Sequence, residues 1–185
     1  RFPSVIPIFD PENATGWGTS ADINLPNPYA ISEINDITSE STQIFLNAYL
    51  QAEIINGLKY KLNLGMRRNH TKNRNYTGVY DLGTYGTNEA PDLSESFSSF
   101  DSWVLENTLN DRTFGKHTVS GMVGYSAQKD KSYGLNGSNS DLPKFIDTMT
   151  GNVTTMKSSS SIHEQALVSL FGRVMYSYDD RYLFS

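Results

Sequence analysis

Apolar residues recur at every second position in three separate stretches of the chain, and each stretch doubles back on itself. In the first, Ile44, Leu46, Ala48, Leu50, Ala52 and Ile54 share one side. Gln43, Asn47, Gln51 and Glu53 share the other, with Phe45 and Tyr49 among them. After Asn56-Gly57, Leu58, Tyr60, Leu62, Leu64 and Met66 alternate with Lys59, Lys61, Asn63 and Gly65. A period of two belongs to an extended strand; a helical period would scatter Lys59, Lys61 and Asn63 around a cylinder. Asn-Gly between two such runs predicts a tight hairpin with both central residues at positive φ. In the second stretch Trp103, Leu105 and Leu109 oppose Glu106 and Thr108. A short connection, DRTFGK, leads to Val119, Gly121, Val123, Tyr125 and Ala127, which alternate with Thr118, Ser120, Gly124, Ser126 and Gln128. In the third, Val168, Leu170, Gly172, Val174, Tyr176 and Tyr178 oppose Ser169, Arg173 and Ser177. Asp179-Asp180 then turns into RYLFS.

Polar, aperiodic segments separate these hairpins. The resulting order is a loop over 1–40, rich in Pro, Asn, Asp and Gly, a hairpin over 41–66, a long loop over 67–99, a hairpin over 100–128, a long loop over 129–163, and a hairpin over 164–185 that stops part-way. The predicted fold is all-β and antiparallel, with about six strands. Two regularities point to a transmembrane β-barrel: the second face is polar throughout, and short and long connections alternate. In that arrangement the apolar face meets lipid and the polar face a lumen, with short periplasmic turns and long extracellular loops. An open strand edge is intolerable in lipid, so this number of strands would require further strands on both sides, and the chain reads as an internal segment. The rings Tyr176, Tyr178, Tyr182, Phe184 and Phe114 gather beside the short turns, and Trp103 and Tyr125 sit nearer the other strand ends, as two interfacial girdles would. A soluble antiparallel sheet also alternates, so a secreted β-sandwich or carbohydrate-binding module remains open on periodicity alone, as does a passive porin or adhesin barrel.

Composition narrows the chemistry. The 185 residues carry a net charge of -5, with Arg67-Arg68-Asn69-His70-Thr71-Lys72 as an isolated basic run, which argues against a nucleic-acid surface. No apolar run is long enough for a membrane helix. Cysteine is absent, and His70, His117 and His163 have no ligand spacing, so no metal or cofactor site is expected. Asp10, Glu12 and Asn13 are hard oxygen donors within DPENATG, but they lack a calcium loop's spacing, and a turn is the expected role. Asn13, Asn75 and Asn152 begin glycosylation-type triplets of the sort Asn- and Thr-rich loops produce by chance. Asp101 with Glu106, and Asp179 with Asp180, pair carboxylates only in name. No nucleophile elbow is present, so the chain is not expected to be an enzyme.

Several words of the sequence carry more than their periodicity. SWVLENTLNDRTFGKHTVSGMVGYSAQ resembles a strand–turn–strand of SusC/RagA-type TonB-linked outer-membrane proteins. FGRVMYSYDDRYLFS is similar to that family's next hairpin, FPSVIPIFDPENATGWGT to a loop preceding these strands, and LNAYLQAEIINGLKYKLNLG to a hairpin between them. The resemblance implies a segment of a large barrel of about twenty-two strands. It also implies residence in the bacterial outer membrane and import of glycans, glycopeptides or peptides driven through TonB. A SusD-like surface lipoprotein would act as a lid in a multi-subunit complex. The family's plug and TonB box have no counterpart in these residues. Loops on a rigid scaffold are where binding residues concentrate, which makes Trp17, Tyr76, Tyr80, Tyr85 and Tyr133 the candidate substrate-facing aromatics. Arg67, Glu106 and Arg173 are the candidate lumen- or plug-facing polar residues.

Overall fold

The computed structural model describes residues 6–19, 25–112, 116–144, 146–178 and 182–184. Phe114, Asp179, Asp180 and the side chain of Tyr182, each placed at a turn above, lie outside the described residues.

The described residues form β1 (Asn35–Ile55), β2 (Leu58–Thr77), β3 (Tyr80–Asp81), β4 (Thr87–Asn88), β5 (Asp92–Arg112), β6 (His117–Asn139), β7 (Lys157–Tyr178) and β8 (Tyr182–Phe184), with one α-helix, α1 (Pro28–Ile34), and short 3-10 turns at Gly83–Tyr85 and Met149–Gly151. Six strands build one sheet in the order β1-β2-β5-β6-β7-β8, and β3 pairs with β4 as a separate ribbon. Each long strand therefore lies beside its neighbour in sequence, and the sheet is open, with β1 at one edge and β8 at the other.

Side-chain pairs fix the register. From β1 to β2, Asn35 meets Thr77, Ser39 meets Asn73 and Ser41 meets Thr71. From β2 to β5, Asn73 meets Ser96, Arg68 meets Asp101 and Asn63 meets Glu106. In each series one index rises as the other falls by the same step, as antiparallel pairing without a bulge requires. Ser102 with Asp130 and Lys131 with Glu164 continue the pairing to β6 and β7. The consequence is that Asn47, Asn63, Gly65, Arg67, Glu106, Ser120, Gln128 and Arg173 fall on the polar side of their strands, opposite Leu46, Leu64, Trp103, Val123 and Leu170.

The strands outrun their apolar pattern. β2 continues to Thr77 and β5 begins at Asp92, so the loop expected over 67–99 shrinks to 78–91 and holds the β3–β4 ribbon. β6 continues to Asn139 and β7 begins at Lys157, leaving 140–156 of the loop expected over 129–163. The opening loop likewise ends early, in α1 and the start of β1. In these extensions polar residues dominate both sides of the strand, with Leu93, Phe97, Tyr133 and Leu135 among the exceptions. Ladder hydrogen bonds and cross-strand pairs such as Ser39–Asn73 hold the pairing without any alternation to mark it. The first turn also differs from expectation. Gly57 takes φ 92°, but Asp141 is the only non-glycine residue at positive φ among the described residues, so Asn56 does not. Glu53 closes this turn by accepting the Gly57 N–H at 3.1 Å.

The chain divides into two compact units. The first comprises Arg1–Ser41, Thr71–Ser98 and Gly134–Ser161. Its core is Ala30, Ile34 and Leu82, with Trp17, Ile31 and Tyr80 packed against it. Asn27 starts α1: its Oδ1 accepts from the N–H groups of Tyr29 and Ala30, and Pro28 follows where a missing N–H costs nothing. Its Nδ2 donates to the carbonyls of Pro7, Ile8 and Gly18, so this one amide also anchors the preceding loop. The second unit comprises Thr42–His70, Ser99–Tyr133 and Ile162–Ser185. It is bare sheet, and no second layer of described residues covers either side. Leu170 is 80% exposed, Val174 66% and Val168 65%.

Candidate functional site

The polar side of the second unit gathers its side chains into small, specific groups. Arg67, on β2, has its guanidinium carbon 5.4 Å from the ring centre of Phe45 on β1 and 5.4 Å from that of Phe100 on β5. Both distances lie within cation–π range. Lys61 makes the same kind of contact with Tyr49 at 5.5 Å. Phe45 and Tyr49 are thus the two rings that interrupted the polar side of the first run, and each has a cation from β2 over it. Beside Arg67 the sheet leaves a niche of about 310 Å³, lined by Phe45, Asn47, Gly65, Arg67, Ser102 and Val104.

The carboxylates of this side are held by neutral donors. Asn63 donates to Glu106 at 3.0 Å. Ser102 donates to Asp130 at 2.6 Å, and Gln128 adds two longer bonds. Arg173 lines a cavity of about 610 Å³ near the short connections, together with Lys59, Glu53 and Ser177. Among the described residues, the Ser177 hydroxyl there is buried without a hydrogen-bond partner. On the apolar side, His117 and Tyr176 join through Nδ1 and the phenol oxygen at 2.7 Å. Tyr178 and Phe184 extend the ring cluster beside the β7–β8 turn.

The expected substrate-facing aromatics do not form one group. Trp17 stacks on Phe9 at 5.6 Å, sits 6.1 Å from Tyr29 and packs on the small core, and Tyr80 packs there too. Tyr76 and Tyr133 are on β2 and β6 rather than in loops. Tyr76 carries Arg74 over its ring at 5.7 Å. Tyr85 alone of the five is both in a connection and largely exposed, at 49%. Asp10 and Asn13 each accept a backbone N–H two residues ahead, and Asn13 also donates to the Asp81 carbonyl, so these two side chains of DPENATG are engaged in local bonds. Sequence reasoning missed Phe45, Phe100, Tyr49 and Lys61. The signal for the first and third was the aromatic at a polar position.

Arg74 is the second centre of charge, in the first unit. It reaches Asp36 on β1 at 2.7 Å and Asp147 in the 140–156 connection at 2.9 Å, with Glu95 on β5 farther off at 3.8 Å. One cation therefore ties that connection to the ends of three strands.

No family model matches the chain. It is similar over its whole length to TonB-dependent receptor P3 of Formosa agariphila, with 27% identity over 189 residues. It is also similar to TonB-dependent receptor P39 of the same organism, with 28% identity over 168 residues and 85% of the chain covered. The chain spans 19% and 15% of those relatives. Among solved structures, the RagAB peptide transporter matches with a TM-score of 0.74 and 19% identity, over 83% of this chain and 18% of that one. The RagAB peptide importer in its open-open state matches with a TM-score of 0.73 and 20% identity, over 83% of this chain and 17% of that one. The fold is therefore that of a piece of a larger antiparallel β-barrel, which the open sheet fits, and the resemblance read from the sequence holds.

Proposed function

We propose that this chain is wall from the β-barrel of a TonB-dependent outer-membrane importer. Its alternating apolar side faces lipid and its polar side faces the lumen. The short turns are periplasmic and the connections 78–91 and 140–156 extracellular. The observation that carries the reading is the two-sidedness of the second unit: Val168, Leu170 and Val174 stand in a row, 65% to 80% exposed, with only lipid to satisfy them, while Ser169 and Arg173 point the other way. Apolar surface of this extent in water would cost roughly 1.5–3 kcal/mol for each large side chain left uncovered. The girdle of His117, Tyr176, Tyr178 and Phe184 beside a short turn supports an interface at that level.

The same reading assigns a SusD-like lipoprotein to the extracellular connections, a plug to the lumen and TonB as the source of energy. The cargo is a peptide or glycan too large for passive pores. The wall carries no catalytic role. The RagAB names speak of a peptide transporter and importer, and that likeness supports transport as the class of activity. The experiment is extraction of the native protein followed by intact mass measurement. Release from outer membranes by detergent alone, at a mass on the order of 100 kDa, fits a full barrel. A water-soluble species near 20.7 kDa would refute the wall assignment and favour a soluble module.

A further inference from the structure

The whole chain is acidic, but the polar side of its second unit is not. Lys59, Lys61, Arg67, Arg112 and Arg173 project from that side against Glu53, Glu106 and Asp130. Each of those carboxylates takes a hydrogen bond from a neutral donor: the Gly57 N–H, the Asn63 amide, and the Ser102 hydroxyl with the Gln128 amide. Among the described residues, Lys59, Lys61, Arg67 and Arg173 are thus not in ion pairs with these carboxylates.

Arg67 is the furthest case. Two rings hold its guanidinium, and rings attract a cation without accepting its N–H bonds in the way a carboxylate does. Among the described residues no carboxylate or other acceptor bonds it. Gly65, two positions back on the same side of β2, lets Val104 of β5 close over it, since an ideal Cβ there would fall 2.8 Å from Val104 Cγ1, and Asn47 and Ser102 add polar edges to the adjoining niche. A cation oriented by aromatic contacts, with donors to spare beside an open niche, is built to receive a planar oxyanion in a bidentate way.

We propose that Arg67 is the receiving fork of an anion-selective wall, and that it takes the carboxylate groups of an acidic soluble oligomer. The proposal rests on the wall reading above, because there the polar side lines the path. Lys61 on its tyrosine, three repeats of the alternation closer to the periplasm, extends the same field along β2.

The test uses the full-length protein in detergent and two matched pairs of probes: tetragalacturonate with its neutral methyl ester, and tetraglutamate with tetraglutamine. The expected result is preference for the acidic member of at least one pair, weakened by salt. Arg67→Gln should lose about tenfold in affinity for the acidic probe and none for its neutral twin. Arg67→Lys should recover only part of the loss, since an ammonium has no planar fork. Equal binding of acidic and neutral probes overturns the proposal, as does an Arg67→Gln variant that keeps the preference. A full-length structure in which one of the protein's own carboxylates occupies Arg67 assigns the fork to an internal partner and overturns the cargo assignment. The wall reading is judged separately, by extraction and mass, so either can fail without the other.

Discussion

The ring of Phe171 on β7 fills the space that a side chain on Gly124 of β6 would need: an ideal Cβ at Gly124 falls 2.4 Å from two of its ring atoms. The glycine is buried by its neighbour's ring, so the pair acts as one packed unit across two strands. Gly124→Ala should force the ring aside at a cost of about 1–3 kcal/mol. The double variant with Phe171→Ala should recover most of it. Thermal unfolding of the three variants in detergent measures the coupling. An additive cycle would dissolve the pair.

Arginine introduced along β7 should report which side faces lipid. Leu170→Arg is expected to cost about 2–4 kcal/mol near the membrane midplane, whereas Ser169→Arg, one residue away on the other side, should be tolerated. The fraction of heat-modifiable, folded barrel on a gel is the measurement. Equal tolerance at the two positions contradicts the assignment of faces.

Arg74→Ala should loosen the 140–156 connection. Its partners Asp36 and Asp147 are more than half exposed, so the expected loss is modest, roughly 1 kcal/mol, and smaller at high salt. Limited proteolysis within 140–156 should quicken at low ionic strength, while strands β5 and β6 keep their protection. Cleavage at the wild-type rate would mean that the ion pairs do not hold the connection.

Asn27 separates two roles in one amide. Asn27→Asp keeps the cap on α1 but turns an anion toward the carbonyls of Pro7, Ile8 and Gly18, whereas Asn27→Ala removes both functions. Loss of the cap alone costs about 0.5–2 kcal/mol. Because a buried carboxylate facing carbonyls is worse than a missing amide, Asp should destabilise the 6–19 loop more than Ala does. Hydrogen exchange over that loop ranks the two. The reverse order would assign the main role to the cap.

What the sequence made legible follows from where water and apolar surroundings differ. Ile44 to Ile54, Leu58 to Met66 and Val168 to Tyr178 announced strands because one side of each avoids water and the other does not. The stretches 67–77 and 129–139 are equally regular, yet polar residues dominate both sides, with only Tyr76, Tyr133 and Leu135 breaking the run, so they read as loop. The site suffered from the same blind spot. Arg67 could be placed on the polar side by counting, but its contact with Phe100 depends on the register between β2 and β5 across a connection whose length was misread. Trp17 shows the opposite difficulty. A large ring in a Gly- and Pro-rich segment looks available to a ligand, but the pairing of Phe9 and the docking of α1 use its surface internally.

The long strands run to 20–23 residues, about twice what crossing lipid takes. This surplus sets how such a wall can diversify. An inserted residue would move every later side chain to the opposite face, so along these ladders lineages are left with point replacement, on positions such as Arg68, Lys129 and Glu164. Changes of length are better tolerated in the connections 78–91 and 140–156. On the proposed wall reading, pressure from outside the cell would therefore leave two different signatures in one gene: drift in residue identity along the ladders, and gain or loss of codons in the connections.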